Sequence, residues 1–381
     1  VRIVLLAVSL ACVLVADEPA VHQPQLLLTA KLLRRLKRDR ERQTVRWVHF
    51  EDRVKSTPDS PERGFELALY FAVTGDDARG KEAVAWAAAH PCERRQRALI
   101  QDWVDNIAPL PCPAPASLRD QALEKIARGQ DTSSISDQVR GKLIPEFASI
   151  GITSSDDLYA LIELISVLRV RDDKDIRNAD PMFFRNLPLE FLLSLKPDQV
   201  EHPAWMTHVA ALALVTVDPN LEASQFLQGW AMEDRQTLRD GPGVAYELLW
   251  ADPYLPGIAY QNLDPWIYDE EGGRLFARSD WTSGACWIAV SARGVQETNC
   301  PPGWRDQQVH FGSMTLIPAP AKCMEIPHQE ARQNVVLWKW IPGQAISYTD
   351  KKSDKKENMA NADAGGMWHP GANVEGKVCR R

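Results

Sequence analysis

The hydrophobic pattern of this chain changes period once, near residue 254, and that change limits the folds open to it. From about residue 24 to 250, apolar residues recur three and four apart, the spacing that lays a stripe along one face of a helix. After Tyr254 they come in runs of five to seven residues bounded by Gly, Pro and Asp, the length and punctuation of strands. Helices first and strands second make an α+β chain. With 381 residues, 45% hydrophobic and 25% charged, the composition is that of a globular protein with ample chain for a core. Collagen-like, wholly disordered and polytopic membrane classes are excluded on that ground.

Within the helical part, Leu26, Leu27, Leu32, Leu33 and Leu36 share a segment whose other face is rich in Lys and Arg. Glu62 to Thr74 reads as a buried helix stopped at Gly75-Asp76, followed by helices over 81–89 and 94–107. A Pro-rich break, Pro109 to Pro115, precedes an amphipathic stretch around Leu118, Ala122 and Ile126. Ser154 with Asp157 forms a capping-box pattern ahead of Leu158, Leu161, Ile162, Ile165 and Leu168. His208 to Val217 is nearly all apolar. Asp218-Pro219 then offers an N-cap and a first-turn proline for a helix carrying Leu221, Phe226 and Trp230. Strands are expected over 274–278, 285–291, 313–317 and 334–340, which sets a helical domain at 24–253 and a β-domain at 258–348. Residues 349–381 are rich in Lys, Asn, Gly and Asp and are expected to stay disordered.

Arg2, an apolar run from Ile3 to Val15 and a small residue at Ala16 have the layout of a secretory signal peptide over residues 1–16, too short to span a bilayer. The mature chain is therefore expected in the periplasm or outside the cell, with no membrane span. Six cysteines follow, Cys92, Cys112, Cys286, Cys300, Cys323 and Cys379. In an oxidising compartment they are read as disulfides, with Cys92–Cys112 and Cys300–Cys323 as the simplest pairs, against the alternative of free buried thiols. A net charge of −7 without a basic patch interleaved with aromatics leaves nucleic acid no electrostatic footprint. Thirteen Trp outnumber ten Phe and seven Tyr, which suits either sugar stacking or core filling.

Taken in order, LLLTAKLLRRLK, FELALYFAVTGD, ALIQDWVDNI and GGRLFARSDWTSGACWIAVSARG (Gly272 to Gly294) resemble segments of the heparinase II/III-like polysaccharide lyases. That resemblance implies an α/α toroid, here incomplete, followed by a small antiparallel β-sandwich-like domain. It implies β-elimination of an acidic, uronate-containing polysaccharide, in which one group neutralises the carboxylate, a base takes the C5 proton and an acid protonates the leaving oxygen. The family's catalytic tyrosine stretch is similar to DGPGVAYELLWADPY, which makes Tyr246 and Tyr254 the candidates; two core aromatics are the plainer reading. His208 is the further catalytic candidate and His202, ahead of Pro203, a substrate-binding one, against a hydrogen-bonded structural histidine for each. Asp102 and Trp103 are candidates to line the cleft, and Arg177, in the run Arg169, Arg171, Lys174, Arg177, to meet a polyanion; a solvated or paired side chain is the alternative for both groups. Aligning Gly312 with the family's His-x-His-x-Asp-x-Gly places Asp306, Gln308 and His310 at its three polar positions. Asp306 and His310 are kept as substrate-binding candidates, but Gln308 is no imidazole ligand, so neither metal nor other cofactor is expected. Three readings stay open: a polysaccharide lyase, a non-catalytic glycan-binding descendant of that scaffold, and a helical-repeat protein-interaction module.

Overall fold

The computed structural model describes residues 24–317, apart from 58, 105–106, 170–174, 270–272, 292–293, 305–308 and 313, together with short strands beyond 317. The expected signal peptide, Arg171, Lys174, Asp306, Gln308, Cys323 and the side chain of His310 lie outside the described residues.

The chain is α+β, helices leading. Helices α1 (Ala30–Glu41), α2 (Val45–Ser56), α3 (Arg63–Thr74), α4 (Asp77–Ala89), α5 (Arg94–Trp103), α6 (Leu118–Ala127), α7 (Ser133–Gln138) and α8 (Ile144–Ile150) come first. They are followed by α9 (Ser155–Arg169), α10 (Pro181–Ser194), α11 (Pro197–Glu201), α12 (Trp205–Val215), α13 (Glu222–Ala231) and α14 (Gly243–Trp250). Their starts are written locally: Thr29, Thr44, Asp76 and Ser117 each accept a first-turn N–H, which removes one orphan donor per helix. α3 ends on Gly75 at φ 71°, a left-handed position that a side chain would strain. At α9, Ser154 Oγ accepts from Asp157 N at 3.1 Å, while the Asp157 carboxylate takes the hydroxyls of Thr153 and Ser154. The Asp218-Pro219 start is corrected: α13 begins at Glu222, and Asp218 closes a turn whose carbonyl accepts from Leu221 N.

One continuous apolar core runs through the helices, with Trp47, Phe50, Phe65, Phe191 and Trp230 among its buried side chains. α3 packs on α5, α5 on α6, α6 on α9, α9 on α12, α12 on α14, and α14 returns to α2 and α3. Arg35 Nη2, on α1, reaches the carbonyl of Leu249 at 2.9 Å across the same closure.

The first sheet is an antiparallel meander, β1 (Trp266–Asp269), β2 (Arg274–Arg278), β3 (Trp287–Ser291) and β4 (Gly294–Thr298). Leu275, Ala277, Ile288 and Val290 alternate onto one face and form a second core with Trp304, Phe311 and Met314. The opposite face docks on α10. Arg274 binds Glu190 there and the carbonyls of Ala148 and Ser149, and Trp287 Nε1 donates to Leu193 O at 2.8 Å. Beyond it, β5 (Val309–Phe311) pairs with β6 (Met314–Ile317), and β8 (Asn334–Leu337) joins β6 in parallel, which departs from the all-antiparallel expectation. A third sheet has the order β10 (Lys356–Met359), β9 (Ile346–Asp350), β11 (Gly376–Arg380), β7 (Met324–Glu325). Its β10 and β11 fall inside the stretch expected to be disordered, held by main-chain pairing to β9.

Cys92 and Cys112 are bonded across α5 with Cα atoms 5.2 Å apart, as expected. The second expected pair is corrected: Cys300 is bonded to Cys286, not Cys323, at a Cα separation of 4.3 Å. The β3–β4 register pairs Trp287 with Thr298, so residues just beyond the open end of that hairpin lie side by side. Among the described residues no helix is long and apolar enough to cross a membrane.

Candidate functional site

Several helices bring polar or aromatic side chains to one buried point. Arg95, second residue of α5, is at its centre. Its Nε lies 2.9 and 2.8 Å from the two carboxylate oxygens of Glu163 on α9, and its Nη2 donates to Glu163 Oε1 at 2.8 Å. Nη1 donates to Glu62, just ahead of α3, at 3.0 Å, and Nη2 also reaches the Tyr159 hydroxyl at 3.2 Å. That hydroxyl donates onward to Glu163 at 2.8 Å and accepts from Trp250 Nε1 at 3.4 Å. The rings of Phe65, Tyr159 and Tyr246 face the same guanidinium at 5.2, 5.8 and 5.2 Å. Trp205, first residue of α12, packs on Tyr246 at 5.9 Å, and Arg119 of α6 stands 3.5 Å from Glu163.

Charge and burial set the protonation states here. Burial works against the Glu163 carboxylate, but the charge and hydrogen bonds of Arg95 outweigh it, and the carboxyl is held below the usual range. Burial pushes the Tyr159 and Tyr246 phenols far above their ordinary value, with Arg95 pulling only partly the other way at Tyr246. Both phenols are therefore neutral at rest and able to donate a hydrogen bond. The outer members are more open: the side chains of Glu62 and Arg119 keep 21% and 26% exposure, and Trp205 is half-buried.

A second constellation sits deeper. His208 Nε2 meets Glu247 Oε2 at 2.8 Å, and Arg46 Nε donates to Glu247 Oε1 at 2.6 Å. His208 is fully buried, and its Nδ1 has no hydrogen-bond partner. Burial opposes the Glu247 charge, and the His208 hydrogen bond with the Arg46 guanidinium more than offsets this, keeping the carboxyl low.

The residues singled out from sequence scatter around these two points. Tyr246 is 2% exposed inside the Arg95 cluster, whereas Tyr254 is 72% exposed on the turn after α14. The two tyrosines therefore stand in different surroundings, one within the Arg95 cluster and one facing solvent. Asp102 is buried and accepts the backbone N–H groups of Gln25 and Leu26, and Trp103 Nε1 donates to Leu26 O at 2.9 Å. Both side chains thus hold the chain ahead of α1. Arg177 is paired to Asp175 and Asp218 at the surface, and His202 is exposed at the end of α11. Sequence reading missed Arg95, Tyr159, Glu163, Arg46 and Glu247. The available signal was a Tyr and a Glu four apart among the apolar residues of α9 from Leu158 to Ile165, a pair that a helix turns to one side.

Two adjoining cavities of about 290 and 410 Å³ lie beside the Cys92–Cys112 bridge and share Arg97, Pro109, Glu124 and Arg128. None of the sequence candidates lines either one. Among the described residues no group of three or more His, Cys, Asp or Glu side chains is placed to hold a metal ion. No protein-family model matches this sequence, and no curated protein matches it.

Proposed function

We propose that this chain is an exported glycan-binding protein built on an α/α toroid of the polysaccharide-lyase kind, with β-elimination weak or lost. The succession of helices in which α14 returns to α2 and α3 supports the toroid reading, since such a closure leaves one end of the ring as a cleft. Two disulfides support the oxidising compartment. The observation that carries the binding reading over the catalytic one is the burial of two of the three proton-transfer candidates, while the third, Tyr254, stands 72% exposed on the turn after α14 and belongs to neither polar cluster. Tyr246 and His208 are sealed at 2% and 0% exposure, the first as a high-pKa phenol against Arg95, the second on Glu247. A base must reach the C5 proton of its substrate, and neither can without the core opening. The half-open Glu62, Arg119 and Trp205 rim retains what recognition needs: a flat aromatic face and charged donors and acceptors.

The experiment is a panel of polyuronates and sulfated glycosaminoglycans scored for binding by affinity electrophoresis and for elimination by absorbance of the unsaturated uronate. Retarded mobility without new absorbance is expected, and Trp205→Ala should relieve the retardation. Turnover lost in Tyr246→Phe would restore the lyase reading, and no retardation by any glycan would end the binding one.

A further inference from the structure

Strand β2 carries two buried arginines four residues apart, Arg274 and Arg278, on the face opposite Leu275 and Ala277. The first is fully provided for: its guanidinium meets the Glu190 carboxylate, Asp269 and the carbonyls of Ala148 and Ser149. The second is not. Arg278 has 0% exposure, and its Nε donates to Asp280 O at 2.8 Å, but Nη1 and Nη2 are buried without any hydrogen-bond partner. The Trp281 ring lies 4.3 Å over the guanidinium, and the indole Nε1, also buried, has no partner either. Three N–H-bearing atoms are thus gathered with no acceptor between them. The nearby Asp280 carboxylate is taken up by Thr282 and Ser279, and burial pulls Arg278 down to about 10 against the opposing charges of Asp280 and Tyr260. A buried guanidinium left with unmet donors is costly, and proteins retain such groups where something else supplies the acceptors.

We infer that the free edge of Arg278 and the indole N–H of Trp281 form a carboxylate-binding position, closed by the turn 279–284. A carboxylate presents two coplanar oxygens to a guanidinium fork, and a third donor fits one remaining lone pair. The cover is suited to opening, because Ser279, Asp280, Thr282, Ser283 and Gly284 are all exposed while Trp281 alone turns inward. The Cys286–Cys300 bridge fixes the chain just after the turn and Asn299 donates to Ser283 O within it, so opening would fall on residues 279–282. The inference stands apart from what occupies the helical cleft.

The test follows the indole N–H resonance of Trp281 by NMR, assigned by its loss in Trp281→Phe, during titration of the whole protein with acetate, glucuronate and neutral glucose at constant ionic strength. Saturable shifts with both acids and none with glucose are expected, weakened about tenfold in Arg278→Lys, which keeps the charge and loses the fork. Arg278→Met should abolish them and, having removed an unpaired buried charge, should fold at least as well as the native chain. Tighter binding of glucuronate than acetate would assign a sugar acid, and equal binding a free small acid; both support the carboxylate position. No saturable shift with either acid, or the same shift in a folded Arg278→Met, would overturn it.

Discussion

Replacing Glu163 with Gln keeps the shape of the side chain and removes the charge that faces Arg95. In the native protein Arg95 Nε contacts both Glu163 oxygens within 2.9 Å, at 0% side-chain exposure for Glu163 and 9% for Arg95. Glu62, with 21% exposure, is the other acid bonded to Arg95, so the variant leaves a largely desolvated cation. Breaking a buried pair on one side costs about 3–5 kcal/mol, chiefly through the partner left behind. At about 2–4 °C per kcal/mol for a chain of this size, the melting temperature should fall by roughly 6–20 °C. Urea unfolding followed by far-ultraviolet circular dichroism measures the loss directly. The sign of its pH dependence follows from the depressed Glu163 carboxyl: the native advantage over Glu163→Gln is complete above the unfolded Glu value of 4.5 and shrinks as pH falls through the lower folded value. Arg95→Met should cost a similar amount, while Arg95→Met/Glu163→Gln should cost less than the sum of the singles by about 2–3 kcal/mol. A single-variant loss below about 1 kcal/mol, or strict additivity in the double, would refute the account of Arg95 as the pinned centre of the helical ends.

Two further outcomes are expected. Peptide mapping without reductant should recover Cys92–Cys112 and Cys286–Cys300, and Cys92→Ser should cost about 3 kcal/mol for a loop of this length; recovery of a Cys300–Cys323 peptide would contradict the hairpin geometry. Gly229→Ala should destabilise by about 2 kcal/mol or more, because its Cβ would run into the carbonyl of Ile258 where that backbone crosses α13, whereas Gly141→Ala meets open space and should stabilise by about 0.4–1 kcal/mol in thermal melts.

What the sequence disclosed was local, and what it hid was long-range. The Ser154-Asp157 cap, the Gly75 stop and the strand runs expected at 274–278 and 285–291, the second observed from Trp287, are each decided by residues within a turn of one another. Asp218-Pro219 misled because a sound N-cap signal was spent on a turn three residues early. The Cys286–Cys300 bond needed strand register, which composition does not carry. Arg95 was the largest omission. Glu62 and Glu163 lie 33 and 68 residues from it, and within α5 nothing separates it from Arg94 or Arg97. Asp102 and Trp103 read as candidates to line a cleft, and their polar atoms hold residues 25 and 26.

The return of α14 to the first helices bears on how the chain must come together in time. Arg46 and Glu247, which meet at that closure, are separated by 201 residues, and Asp102 secures Gln25 across 77. A ribosome adding about 5–20 residues per second needs roughly 10–40 s to deliver Glu247 after Arg46. Through that interval α2 and α3 lack the neighbour that covers them, and Arg46 waits without its acid. The N-terminal helices thus remain incompletely packed until α14, the last helix, emerges, and a chain stopped before it would leave their apolar faces uncovered.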